Sequence, residues 1–346
     1  MNSVGIDLHR KRSHIAALDE TGAQLLSRRI VNDPQTFLAL LEDVGECRIA
    51  LEATYGWEWL ADVLQDAGYE LHLAHPMRTK AIASARVKTD AVDARTLAHL
   101  LRADLLPEAY IAPRELRDLR DLLRHRVALT RMRSSLKHRV SAILAKHGIQ
   151  RPYSDLFGPA GTQFLTELEL RESPRRRLDS QLALIADFTR EIDATSREID
   201  ARAKEDPYVE VLCQIRGVGR YIAMLVIAEV GDVTRFATAR RLCSWAGLTP
   251  TVRSSDGKAR LGHISRQGPR ALRWALVEAA QHAGTGGGPL RERYERIAKR
   301  RGNQIAKVAI AREILTLCFY GLRDGEIRCL APRATTRAKR PPAVSA

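Results

Sequence analysis

A chain of 346 residues, 45% of them hydrophobic, is long enough for two or three domains with cores of their own, which excludes a small stapled scaffold and a disordered chain. Lys and Arg number 56 against 41 Asp and Glu, a formal net charge of +15, so a polyanionic partner fits better than an acidic one. Five scattered cysteines, an odd count without paired metal-ligand spacing, exclude a disulfide framework and point to reduced thiols in a cytoplasmic protein. Neither a signal peptide nor an apolar run of membrane-spanning length is expected.

Apolar runs and turn signals predict strands at 3–7, 15–18 and 24–30, separated by short turns. A helix over 34–44, a strand over 47–52, a helix over 57–67 and a strand over 70–74 follow. A last helix carries Asp90 and Asp93. This βββαβαβα order is the ribonuclease-H-like topology, so the fold class expected for residues 1–106 is α/β.

Four carboxylates sit at telling places in that order. Asp7 closes the first strand and Glu52 the fourth, while Asp90 and Asp93 are three apart and so share one helix face. Acids at strand ends facing acids on a helix can converge on divalent cations, and hard oxygen ligands suit Mg²⁺ or Mn²⁺. Two such ions roughly 4 Å apart stabilise the attacking and leaving oxygens of a phosphoryl transfer. Any one of these acids, taken singly, reads equally well as a solvated surface residue.

Residues 107–205 read as a helical coiled-coil region. Leu122, Leu129, Leu136 and Ile143 recur by sevens in a helix over 114–147, as do Leu178, Ile185, Ile192 and Ile199 in one over 177–203. The two helices can pair within one chain or across a dimer. Residues 149–176 carry no clear pattern.

Residues 206–331 read as a mostly helical C-terminal domain. Cys213–Ala223 resembles a helix-hairpin-helix element, in which Gly217 and Gly219 would let backbone N–H groups approach a phosphate, flanked by Arg216 and Arg220. A tight turn that only packs would look the same. A hairpin turning at Asp256-Gly257 and a helix from Pro269 to Ala283 bracket Ser265. Arg253, Lys258, Arg260, Arg266, Arg270 and Arg273 crowd this stretch as candidate nucleic-acid contacts. A flexible break at 284–288, a basic helix at 290–301 and an apolar one at 305–322 follow, and the tail 332–346 should be disordered. Charge follows this division. Residues 1–105 hold 12 basic against 15 acidic residues, 106–205 hold 19 against 15, and 206–346 hold 25 against 11. A polyanion-binding region thus follows a mildly acidic, metal-binding one.

Taken together, Val4-Gly5-Ile6-Asp7, Leu51-Glu52-Ala53-Thr54, Lys88–Ala94, Ile215–Gly219, Ala246–Pro250 and Gly262–Gly268 resemble, in order and through nearly the whole chain, the one-ten insertion-sequence family of DEDD transposases, which includes the Piv-type DNA recombinases. The resemblance implies a RuvC-like domain whose Asp7, Glu52, Asp90 and Asp93 bind Mg²⁺, and a C-terminal domain whose Ser265 is the nucleophile. It also implies strand exchange on donor and target DNA, an active site shared between domains across protomers of a dimer or tetramer, and a structured guide RNA encoded by the element.

On the residues alone, other readings stay open. A RuvC-like junction resolvase would need only the four acids and water. A tyrosine recombinase would use His263 and Arg266 with Tyr294. A basic DNA-coating protein would need no chemistry. Ser265 itself reads as a helix cap as readily as a nucleophile, with Ser244, Ser254 and Ser255 as rivals and His263 as a helper.

Overall fold

Unbroken apolar character makes β1 (Asn2–Asp7) a central strand, buried from Ser3 onward. The computed structural model describes residues 1–83, 89–255, 258–283 and 288–330. On one side β1 pairs antiparallel with β2 (Arg12–Leu18), which pairs antiparallel with β3 (Gln24–Val31). On the other it pairs parallel with β4 (Cys47–Glu52), itself parallel to β5 (Glu70–Ala74). The sheet order is β3-β2-β1-β4-β5.

Helices cover both faces. α1 (Pro34–Val44) starts where the Asp33 carboxylate accepts the Thr36 N–H and proline takes the first turn, where its missing donor costs nothing. With α2 (Trp57–Asp66) it buries Phe37, Leu41, Leu60 and Leu64 among Val4, Ile6, Ile49 and Leu51. A short α3 (Pro76–Ile82), unforeseen in the sequence, follows β5. α4 (Asp90–Arg102) lies on the opposite face, with Leu97 and Leu101 against Ala50 and Ala74.

Gly5 sets how close α4 comes. A Cβ there would sit 2.0 Å from the Ala94 carbonyl oxygen and 2.6 Å from the Ala98 nitrogen. Only glycine lets that helix backbone lie on the strand. Asp7 is two residues on, hence on the same face.

The chain divides into compact units at Met1–Ala112 and Pro113–Ala346. The helical region, expected as a segment of its own from 107 to 205, clusters with the C-terminal part. Its α5 (Arg114–Lys146) and α7 (Glu172–Glu205) lie antiparallel, Arg126 donating to Ser196 at 2.7 Å and Arg133 to Thr189 at 3.3 Å, with α6 (Pro159–Glu167) between them in the chain. The predicted seam is used within one chain: Leu129, Leu136, Ile143, Leu178, Ile185, Ile192 and Ile199 are buried, and Leu122 is half-buried beside the buried Leu123.

Next come α8 (Pro207–Cys213), α9 (Arg220–Val230), a 3₁₀ turn (Val233–Arg235) and α10 (Ala239–Trp245). A hairpin of β6 (Pro250–Ser255) and β7 (Lys258–Ile264) leads to α11 (Arg270–Ala283), α12 (Pro289–Arg301) and α13 (Asn303–Asp324). The core joins Ile310, Ile314, Leu315 and Phe319 of α13 to residues of α9, α10 and α11, and takes in Leu123, Ile199 and Ala203 of the long helices. Polar contacts reinforce that junction. Glu229, almost fully buried on α9, accepts a two-pronged bond from Arg124 at 2.8 and 2.9 Å, and Arg120 donates to the Ala228 and Glu229 carbonyls. A buried carboxylate stripped of its guanidinium costs several kcal/mol, of order 3–5, so this pair ties α5 to α9 of the C-terminal bundle.

The expected turn at Asp256-Gly257, most of the break at 284–288 and the tail 332–346 lie outside the described residues. Among the described residues no helix is long and apolar enough to cross a membrane.

Candidate active site

The parallel pairing of β1 and β4 ends with Ile6 opposite Leu51, so Asp7 and Glu52 leave neighbouring strands side by side. α4, pressed onto Gly5, brings its first turn to the same place. Thr89 caps that turn, its hydroxyl accepting the Val92 N–H at 3.3 Å, and Asp90 and Asp93 follow at once. All four acids line one cleft with Leu8, His9, Arg10, Thr54, Tyr55 and Thr89.

His9 escaped the sequence reading. Its Nε2 lies 3.2 Å from Asp7 Oδ2 and 3.3 Å from Asp90 Oδ1, so the imidazole bridges a strand acid and a helix acid. Ligand atoms of Asp7, His9 and Asp90 all fall within 4.8 Å of one another, close enough to share one cation. The available signal was Asp-x-His at the end of a buried strand.

Electrostatics set Asp7 apart. It is 7% exposed. Burial raises its carboxyl above the usual value of 3.8, and Asp93 and Asp90 push the same way, while His9 opposes them. Carboxylates gathered this tightly repel and favour a bound cation. Two carboxylates and one imidazole, Asp7, Asp90 and His9, fit a hard divalent ion, with Glu52 and Asp93 lining the same cleft.

Ser265 follows β7 on a loop fixed by backbone contacts. Its N–H donates to the Thr249 carbonyl at 2.9 Å, and the Arg266 N–H to that of Gly247 at 3.2 Å. Arg266 takes a left-handed conformation, φ 57°, uncommon for a side-chain-bearing residue. Gly268, also left-handed, sits where a Cβ would meet the Trp245 carbonyl oxygen at 2.1 Å. The loop therefore lies flat on the Trp245–Leu248 segment. The Ser265 hydroxyl is shielded from solvent and makes no hydrogen bond among the described residues. His263 is exposed.

The candidate nucleic-acid contacts fall into groups. Arg253, Arg260, Arg266 and Arg270 are exposed, and the Lys258 side chain lies outside the described residues. Arg273 is turned inward, its guanidinium donating to the carbonyls of Ala246 (3.2 Å), Gly268 (2.8 Å) and Gln267. Desolvation and the charges of Arg266 and Arg270 lower its basicity. In the helix-hairpin-helix segment, Gly217 is used for packing, since a Cβ would lie 2.3 Å from the Ala279 carbonyl oxygen. Gly219 faces open space at the start of α9. Arg220 is exposed, and Arg216 reaches the His282 carbonyl at 3.5 Å. Tyr294 is half-buried against the core of its unit. No cysteine lines the acid cleft, and burial pushes the Cys47 thiol up to about 11 and keeps it protonated.

Residues 4–149 match the family model for DEDD transposases of the IS110 type, a span that contains every one of the four acids. Residues 209–295, which contain Ser265, match the model for transposases of the IS116/IS110/IS902 family. The chain belongs to the IS110 family of transposases. A probable family 20 transposase of Pseudomonas aeruginosa is 25% identical over 288 residues, 81% of this chain and 83% of that protein. The transposase for insertion sequence element IS1328 of Yersinia enterocolitica is 25% identical over 80% of this chain and 82% of its own length. The transposase for IS1111A of Coxiella burnetii is 25% identical over 80% and 76%. Membership of the IS110 family implies an enzyme of a mobile element that cuts and recombines DNA, and its DEDD designation accords with a divalent metal at the acid cleft.

Proposed function

We propose that this IS110-family transposase exchanges DNA strands with Ser265 as nucleophile and with Asp7, Glu52, Asp90 and Asp93 as the acids that hold Mg²⁺ or Mn²⁺. The observation that carries the reading is the convergence of four acids, distant in sequence, in one cleft at the ends of two parallel strands. Strand order and the three antiparallel strands at one edge support a ribonuclease-H-like, RuvC-like fold for the N-terminal unit.

Asp7 and Asp90, with His9 between them and Glu52 and Asp93 in the same cleft, would hold the ion. Bound there, it supplies charge neutralisation at the phosphate and acidifies an attacking hydroxyl. The remaining work falls to the chain. Ser265 sits on a loop that backbone contacts hold, with its hydroxyl shielded from solvent, so the phosphate meets it once that side chain turns outward. Among the described residues that hydroxyl has no hydrogen-bond partner to break away from. Attack would join Ser265 Oγ to phosphorus and break one P–O ester bond, the serine proton ending on the departing DNA oxygen, which leaves as a hydroxyl. Arg266 and Arg270 stand exposed beside it to meet the phosphate charge.

The basic C-terminal region would carry most of the affinity for donor and target DNA, and a structured guide RNA would select the sites. A homo-oligomer, dimer or tetramer, would bring at least two active sites together. The test is to trap the reaction on a suicide DNA substrate. A covalent protein–DNA adduct that needs Mg²⁺, maps to Ser265 and disappears in Ser265→Ala is the expected result. An adduct on Tyr294 would replace the serine with a tyrosine, and cutting with no adduct would make water the nucleophile.

A further inference from the structure

The N-terminal unit is acidic in total, yet four of the twelve basic residues among residues 1–105 stand together at its acid cleft. Arg10, Lys11, Arg12 and Arg29 line a second cleft with His9 and Asp90, and His9, Arg10 and Asp90 border both. Strand register explains the grouping. Arg29 pairs with His14, so Arg12, two residues from His14, shares its face and lies diagonally about 7–8 Å away. All four are exposed, and among the described residues none of the four forms an ion pair. Like charges so placed repel, and a bound polyanion removes the repulsion.

Tyr55, 96% exposed, also lines the acid cleft, from the loop between β4 and α2. A large aromatic ring left almost wholly in water is the informative exception to burial. Its flat face suits a nucleobase, and a base can stack there only if it has left a duplex.

We propose that the N-terminal unit seats a single DNA strand across the acids, its phosphates on Arg10, Lys11, Arg12 and Arg29 and an unpaired base stacked on Tyr55. The proposal rests on the acid cleft being a reaction centre for DNA. It names what enters that cleft: one unpaired strand, held on both sides of the phosphate to be cut. Negative net charge then conceals a local seat, because the acids that outweigh it lie elsewhere in the unit or face the metal.

The test uses the full chain and an oligodeoxynucleotide of mixed sequence carrying 5-iodouracil, photo-crosslinked and mapped by mass spectrometry. The wild-type protein should give an adduct on Tyr55. Replacing Arg10, Lys11, Arg12 and Arg29 together with Gln should lower its yield about tenfold at physiological salt and lessen its salt dependence by about 3 in log–log slope. Replacing the three arginines with Lys should restore most of the yield, which separates lost charge from lost fold. An excess of unlabelled single strand should abolish the adduct, and the same excess as duplex should leave most of it. No adduct on Tyr55, an unchanged yield in the Gln variant, or equal competition by duplex would overturn the proposal. Metal-dependent cutting that is normal while the Tyr55 adduct is absent sinks the strand seat alone. A Tyr55 adduct beside cutting that survives Asp7→Asn sinks the acid reading instead.

Discussion

At the ends of β1 and β4 the chain places carboxylates on strands that are buried and paired on both sides. After β7 it places a serine on a loop held by carbonyl contacts and two left-handed residues, Arg266 and Gly268. The first centre is negative, and its acids raise one another's energy until a cation joins them. The second is positive, with Arg266 and Arg270 exposed beside a shielded hydroxyl, and calls for an anion. Each is built to be completed by a ligand of opposite charge. Because the two centres call for ligands of opposite charge, separating their contributions is the informative experiment.

The sharpest break comes from Asp7→Asn. It keeps the shape of a buried side chain and removes the charge shared with His9. Strand cutting should fall at least about a thousandfold, a loss near 4 kcal/mol of transition-state stabilisation. DNA affinity should stay close to wild type, because the substitution removes no cationic side chain. In EDTA the variant should melt no lower than wild type, since carboxylate repulsion is relieved. Gel assays of cutting and calorimetry of the metal-free protein give both numbers, and a variant that cuts normally would remove Asp7 from the chemistry.

Next in size is Gly5→Ala, which touches no reacting group. The added methyl must displace α4 from the strand, at about 1–3 kcal/mol for overpacking. Because α4 carries Asp90 and Asp93, cutting should fall further than the lost stability explains, while formation of the Ser265 loop is unaffected. Full activity at a temperature where the variant is folded would show that the helix acids tolerate displacement.

The legibility of the two centres in sequence differs for a physical reason. Strand ends and a helix turn are encoded locally: apolar runs closing on Asp7 and Glu52, and Thr89 capping the turn of Asp90 and Asp93. Those elements appear at or within a few residues of their predicted bounds, and the four acids line one cleft. His9 was missed because a histidine in a polar loop carries no periodic signal. The Ser265 loop depends instead on close approach between segments twenty residues apart, Gly247 and Gly268 each meeting backbone carbonyls of the other's segment. No pattern in a single sequence marks such a contact. For the same reason Arg273 read as one more exposed cation, whereas it braces the loop from within. The short helices α3, α6 and α10, too brief for a periodic pattern to emerge, were missed as well.

Arg273 therefore gives the third test. Nη1 of Arg273 alone serves all three carbonyls, and a lysine ammonium on a shorter, flexible stem falls short of that point and lacks the rigid guanidinium plane that holds it there. We expect a loss of about 1–2 kcal/mol in stability and about a tenfold lower yield of the Ser265 adduct, with DNA affinity and its salt dependence nearly unchanged. Arg270→Lys, at an exposed position, should do the reverse in kind, leaving stability alone and weakening binding slightly. A salt slope that drops in Arg273→Lys would mean that this guanidinium touches phosphate after all.

The smallest effect expected is the pH dependence of the metal-free protein, and its sign discriminates between two descriptions of the acid centre. Burial, then Asp93 and Asp90, raise the Asp7 carboxyl above 3.8, against the opposing pull of His9. A group whose folded-state value is raised holds its proton more firmly in the native protein than in the unfolded chain. Its contribution is therefore fully present below about 3.8 and is lost as pH climbs through the raised value. In EDTA the melting temperature of wild type should fall relative to Asp7→Asn across that window, and saturating Mg²⁺ should remove the difference by binding the ionised form. Were His9 the dominant neighbour, Asp7 would be held below its ordinary value and the difference would run the other way, rising with pH. The first outcome leaves a centre whose acids are poised for a cation; the second leaves one already neutralised by its own histidine.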